Sequence, residues 1–110
     1  MDRETYQVII EEQVEYQVQR IIDYLAEEVS LQTADYVYKG IVQTIKDLNH
    51  TPTVHKRLDV SGRNRQYHRV LKWKYIIVFH IDEAEKTVYV VDVSHSAQDP
   101  QRLIDRLSAL

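Results

Sequence analysis

The sequence predicts an α+β fold: an N-terminal strand and an antiparallel helical hairpin on a mainly antiparallel four-stranded sheet, ending in a short helix, in the order β-α-α-β-β-β-α. Three observations predict it. Apolar residues recur at helical spacing through two consecutive stretches of the first half. In the second half they condense into strand-like runs separated by tight polar joints. An Asp-Pro pair then opens one last amphipathic segment. The 110 residues match the usual size of one domain, so a single unit over 1–110 is expected. With only two Gly and two Pro, nothing resembles a flexible linker.

Each element follows from its residues. Tyr6-Gln7-Val8-Ile9-Ile10 is β-branched and short, an opening strand. From Glu11 the period changes: Val14, Val18, Ile21, Ile22, Leu25 and Val29 form one helical face. Glu11, Glu12 and Glu15 place negative charge at the helix N-terminus, where the dipole favours it. Ser30 can break this helix and cap the next, in which Ala34, Tyr38, Ile41, Ile45 and Leu48 alternate spacings of four and three. Asn49-His50-Thr51-Pro52 ends that second helix. Gly40 inside it costs about 1 kcal/mol against Ala; close helix approach or simple tolerance would each account for it. After a basic loop containing Ser61-Gly62, three strands are expected at Gln66–Trp73, Tyr75–Ile81 and Thr87–Val93. The middle one is apolar at nearly every residue and so should be central, covered on both faces. Asp99 as N-cap and Pro100 at the first helical position start the last helix, with Leu103, Ile104 and Leu107 as its apolar stripe.

The net charge of −3 conceals a segregation. Residues 1–50 carry four Lys/Arg against ten Asp/Glu, whereas residues 55–74 carry seven (Lys56, Arg57, Arg63, Arg65, Arg69, Lys72, Lys74) against Asp59 alone. Such a stretch is either a solvated surface hairpin or a docking region for an anionic partner, nucleic acid or acidic peptide. Cysteine is absent, which removes disulfides, thiolate metal sites and Cys nucleophiles. The five histidines, at 50, 55, 68, 80 and 95, show no metal-ligand spacing, so neither metal nor cofactor is expected. No run approaches the roughly 20 apolar residues of a membrane span, and the start Met-Asp-Arg-Glu lacks a signal-peptide core. The expected location is the cytoplasm, with no membrane partner.

Several segments carry a family resemblance in order. Tyr6-Gln7-Val8 precedes a long helix containing Ile21-Ile22-Asp23-Tyr24-Leu25; then come Tyr67-His68-Arg69-Val70-Leu71, Lys74-Tyr75-Ile76-Ile77-Val78-Phe79-His80-Ile81-Asp82 and Val91-Asp92-Val93-Ser94-His95-Ser96-Ala97-Gln98-Asp99. Together they resemble the RelE/ParE toxin superfamily of bacterial type II toxin–antitoxin modules, almost end to end. The tail Asp99-Pro100-Gln101-Arg102-Leu103-Ile104 is more similar to the ParE branch, whose members act on DNA gyrase. The resemblance implies a toxin that arrests growth by binding a macromolecular target such as gyrase and is neutralised by a cognate antitoxin. Its alternatives are a RelE-type, ribosome-dependent mRNA endonuclease and a degenerate member without activity. Two departures bear on the choice. Ser96 and Ala97 replace the Gly and Arg of the family's "H-G-R-x-D", and Ile76 stands where an Arg often follows the central strand's Tyr.

If RNA is cleaved, proton transfer needs a residue that titrates near neutrality, and the phosphorus needs cations. His95 matches the family His and is the first candidate, with His68 and Arg69 beside it; His95 could equally serve only to hydrogen-bond the backbone. Adjacent on a strand, His68 and Arg69 must point to opposite faces. Target or nucleic-acid contacts are expected from Lys56, Arg57, Arg63, Arg65, Lys72, Trp73 and Lys74, with Trp73 at an exposed turn and Tyr75 in packing. Tyr16, Tyr24, Tyr36 and Tyr38 should cover the hairpin surface.

Overall fold

The computed structural model describes residues 5–60 and 65–110; Ser61, Gly62 and Arg63 lie outside these. Strand β1 (Gln7–Ile10) leads into helices α1 (Glu12–Glu28) and α2 (Leu31–Lys46). Strands β2 (Lys56–Leu58), β3 (Tyr67–Lys72), β4 (Tyr75–Asp82) and β5 (Thr87–His95) follow, and helix α3 (Pro100–Ser108) closes the fold. The caps are those the sequence implies. Ser30 Oγ accepts the Thr33 N–H at 3.0 Å, and Asp99 Oδ1 accepts the Gln101 N–H at 3.0 Å with Pro100 in the first turn.

The sheet order is β1-β5-β4-β3-β2, antiparallel except for the parallel pair β1–β5. On one face Ile77, Phe79 and Val90 pack with Val14, Ile41 and Ile45 of the helical hairpin. On the other, Val78, Val91 and Tyr67 pack with Leu103 and Leu107 of α3. Ile77, Val78 and Phe79 are all 0% exposed, so β4 is central and covered on both sides, as its unbroken apolar run requires.

Five strands are present where four were expected. The fifth is cut from the basic loop: Lys56, Arg57 and Leu58 pair with Arg69, His68 and Tyr67. Three residues, two of them cationic, carry no legible alternation, and such short charged strands suit a sheet edge. Helix α2 also stops earlier than the apolar pattern, at Lys46; Leu48 is buried from a 3-10 turn over Asp47–Asn49.

The outer edge of β5 is completed by a helix. β1 pairs only with Thr87–Val90. Beyond it, Gln13 Nε2 donates to the Val91 carbonyl at 3.1 Å, and Gln17 Oε1 accepts the Val93 N–H at 3.0 Å. Two glutamines one turn apart on α1 thereby satisfy backbone groups that a neighbouring strand would otherwise take. At the same place β5 bulges: Val78 faces Asp92 and Phe79 faces Val90, leaving Val91 unopposed. Asp92, 2% exposed, accepts Arg106 Nε at 2.8 Å, Arg106 Nη2 at 3.1 Å and Gln17 Nε2 at 2.9 Å. This buried carboxylate joins α1, β5 and α3.

Candidate functional site

β3 and β4 are joined by a two-residue turn, Trp73-Lys74, which sets Lys72 opposite Tyr75 and Tyr75 opposite His95. Trp73 adopts φ 53°, in the left-handed region that a bulky residue enters only when held there. What holds it is α2. A Cβ on Gly40 would lie 2.1 Å from Trp73 Cη2 and 2.4 Å from Cζ3, so Gly40 is the seat of the indole. Close approach does explain Gly40, but the approach of a strand turn rather than of a helix. Tyr36 stacks on the same ring, tilted, with centroids 5.1 Å apart, and Lys72 Nζ lies 4.6 Å over it.

Between the pinned turn and the helical hairpin runs a groove of about 710 Å³. Its walls are largely aromatic and apolar: Tyr24 and Leu25 from α1, Tyr36 and Val37 from α2, Trp73 and Tyr75 from the turn. Arg20, Thr33, Lys74 and His95 supply its polar groups. Tyr24 and Tyr36 are 63% and 65% exposed, so these tyrosines leave their rings open to a partner instead of covering the hairpin. Arg20, Tyr24 and Tyr36 are absent from the sequence-predicted site, and the groove they form depends on a turn far along the chain that no local signal reveals.

His95 sits at the groove's polar end. Its Nδ1 accepts the Ala97 N–H at 2.9 Å, and its ring lies edge-on to Tyr75 with centroids 5.5 Å apart. With the Nδ1 lone pair occupied, a neutral imidazole must carry its proton on Nε2. In that tautomer Nε2 is a donor. The Lys74 carbonyl accepts the Ser96 N–H at 2.6 Å, which ties the turn to the end of β5 and fixes this geometry.

The other candidates lie elsewhere. His68, directly opposite Phe79, stacks on it at 5.5 Å beneath the helical hairpin. Burial lowers its pKa, helped by the nearby charges of Arg57 and His55. Phe79 is four residues along β4 from Tyr75, about 13 Å of strand, so His68 and His95 share no site. Arg69 points to the opposite face, as expected, and stands directly across from Lys56. Two like charges so placed repel each other. Among the described residues none of Lys56, Arg57, Arg65, Arg69, Lys72 or Lys74 makes an ion pair. The basic edge is thus left uncompensated. His80 belongs to packing, stacked on Tyr89 at 4.9 Å and edge-on to Tyr67. No group of three metal-ligating side chains occurs among the described residues. No helix of the described residues is long and apolar enough to cross a membrane.

A helical hairpin and a short helix on opposite faces of a five-stranded sheet define the RelE/ParE class of toxin folds. The sequence profile of the ParE toxins of type II (ParDE) toxin–antitoxin systems matches residues 8–100, and the chain belongs to that family. Solved structures agree on the fold. The chromosomal ParDE system of P. aeruginosa aligns with TM-score 0.68 at 13% identity, over 84% of this chain and 97% of that one. The RelBE2 toxin–antitoxin complex of Mycobacterium tuberculosis gives 0.62 at 17%, over 83% and 98%. A mutant E. coli RelE toxin in the free state gives 0.63 at 12%, over 96% and 98%. Among curated proteins, no sequence matches.

Proposed function

We propose that this toxin arrests growth by binding a macromolecular target, DNA gyrase being the first candidate, and not by cutting RNA. The observation that carries the reading is the Ala97 N–H bonded to His95 Nδ1, which leaves a neutral ring's proton on Nε2. A ribonuclease needs a base for the 2′-hydroxyl, and the one imidazole among the described residues lining the groove has its Nδ1 lone pair already engaged. The positions where family members carry arginine hold Ile76 and Ala97. What the groove does offer is a rigid aromatic surface, the chemistry of protein recognition. The test is induced expression in a bacterium with DNA supercoiling and RNA integrity followed in parallel. Altered supercoiling, intact RNA and undiminished arrest by His95→Gln are expected. RNA breakdown that His95→Gln abolishes would overturn the proposal.

The mRNA endonuclease remains the second reading because Arg20 and Lys74 line the groove with His95, a pair of cations suited to a phosphate. In that case His95→Gln lowers cleavage by roughly 10²–10⁴-fold.

A cognate antitoxin is the proposed second partner, supported by the toxin–antitoxin complexes among the structural relatives. An acidic segment laid along the outer edge of β2 would pair with its free backbone and neutralise Lys56 and Arg69. Reversing both charges to Glu should weaken antitoxin binding at least tenfold at low salt; unchanged affinity would place the antitoxin elsewhere.

A further inference from the structure

We propose that a second pocket, at the far end of β2 and β3, binds a phosphate monoester through Arg57, Arg65, His55 and His68. It holds about 450 Å³ and lies beside Glu83, which follows β4. Its nearest binding residue to the aromatic groove, His68, lies opposite Phe79, about 13 Å of strand from the turn at Tyr75. The proposal is therefore independent of how growth arrest works.

The pocket is built by strand pairing. Arg57 and His68 are directly opposed across β2 and β3, so their side chains share one face. His55 immediately precedes β2 and reaches the same aromatic ring as His68, edge-on to Phe79 with centroids 5.9 Å apart. Arg65 enters from just before β3, and Thr53 and Gln66 add neutral hydrogen-bonding groups to the wall. The one carboxylate in the lining, Glu83, is already engaged by Tyr6 Oη at 3.0 and 3.1 Å and by Lys86 Nζ at 2.9 Å. Neither arginine has an ion-pair partner among the described residues. The pocket's charge is thus net positive, with Glu83 held by Lys86.

His68 forms the buried inner wall of the pocket. It is 8% exposed, and its Nδ1 is sealed from solvent without a hydrogen-bond partner. Sealing an N–H without an acceptor is the rarer and costlier arrangement, so the neutral ring keeps its proton on Nε2. Arg57 beside it contributes further donors, and an oxyanion would accept from both. A phosphate monoester offers three terminal oxygens, enough for guanidinium and imidazole groups converging from separate segments. The volume exceeds a phosphate group alone, and Ile81 gives an apolar wall for the esterified carbon skeleton.

The test is NMR of the histidine rings in the full-length chain, titrated with ribose 5-phosphate at constant ionic strength. Saturable shifts of the His68 ring are expected at pH 7.5, with ribose alone inert. Arg57→Gln, at an exposed strand position, should weaken binding at least tenfold; Lys39→Gln on α2 should not change it. Linear, non-saturating shifts, or equal losses in both variants, would overturn the site. Acetate or an acidic peptide binding as tightly as ribose 5-phosphate would overturn the phosphate assignment.

Discussion

At the scale of single residues, two positions decide whether the groove keeps its shape. Gly40 exists for the Trp73 indole. Ala at 40 regains about 1 kcal/mol of helix propensity, but its methyl would stand 2.1 Å from Cη2. The ring must leave, because an indole cannot bend. The expected result is a stability change within about 1 kcal/mol together with a red-shifted emission from Trp73, the chain's single tryptophan. Unshifted fluorescence would mean the ring does not sit there. Arg106 is the second position. Its removal as Met would leave the Asp92 carboxylate, 2% exposed, with Gln17 as its remaining partner. Breaking a buried pair from one side costs about 3–5 kcal/mol, and the lower end applies because Arg106 is partly exposed. A drop in urea midpoint equivalent to about 3 kcal/mol is expected; a loss under about 1 kcal/mol would show the pair to be a surface ornament.

Among the elements, α3 has two roles that its two faces separate. Leu103 and Leu107 are core residues, while Gln101, Arg102 and Asp105 are exposed. Cutting the chain before Pro100 would therefore uncover Val78 and Val91 and destabilise the sheet, whatever α3 contacts in a target. Point variants distinguish the roles. Leu107→Ala should cost about 2–5 kcal/mol as a buried cavity. Arg102→Glu should leave stability within about 0.5 kcal/mol, and any lost growth arrest would then report a contact made by the outer face. The same elements show how far the sequence could be read. The helices, the cap at Ser30, the Asp99-Pro100 start and the doubly covered β4 were legible because each follows from local periodicity or a capping side chain. Strand β2 was not, since three residues hold no period and are strand only because β3 lies alongside. The opposed directions of His68 and Arg69 followed from strand geometry, but the seat of Trp73 on Gly40 joins residues 33 positions apart, and no local pattern encodes it. The groove was missed for the same reason: Tyr24 and Tyr36 were expected to cover the hairpin surface, and only the distant turn alongside makes them a groove wall.

For the whole molecule, two histidines tie the fold to pH. Burial is the first cause lowering the pKa of both His68 and His80 from 6.5. Arg57 and His55 add to it at His68, and Arg65 adds to it at His80, where Glu11 and Asp82 pull the other way. Both rings hold protons less readily folded than unfolded, so the unfolded chain gains protons first as pH falls. Their contribution is complete above about pH 6.5 and is lost progressively below it, toward their folded values. Glu83 adds loss only at lower pH, because Lys86 and then Tyr6 hold its carboxyl below 4.5. Thermal melts at constant ionic strength should therefore show a falling Tm between pH 7.5 and 5.5, with each histidine limited to about 1.4 kcal/mol per pH unit. His68→Gln should flatten that slope even if it lowers Tm overall, since the slope depends on titration and the offset on packing. A slope unchanged by the substitution would show that His68 is not the titrating group. Adding ribose 5-phosphate should oppose the acid loss in the wild-type chain but not in Arg57→Gln, because an anion bound at His68 stabilises the charged ring in the folded state alone.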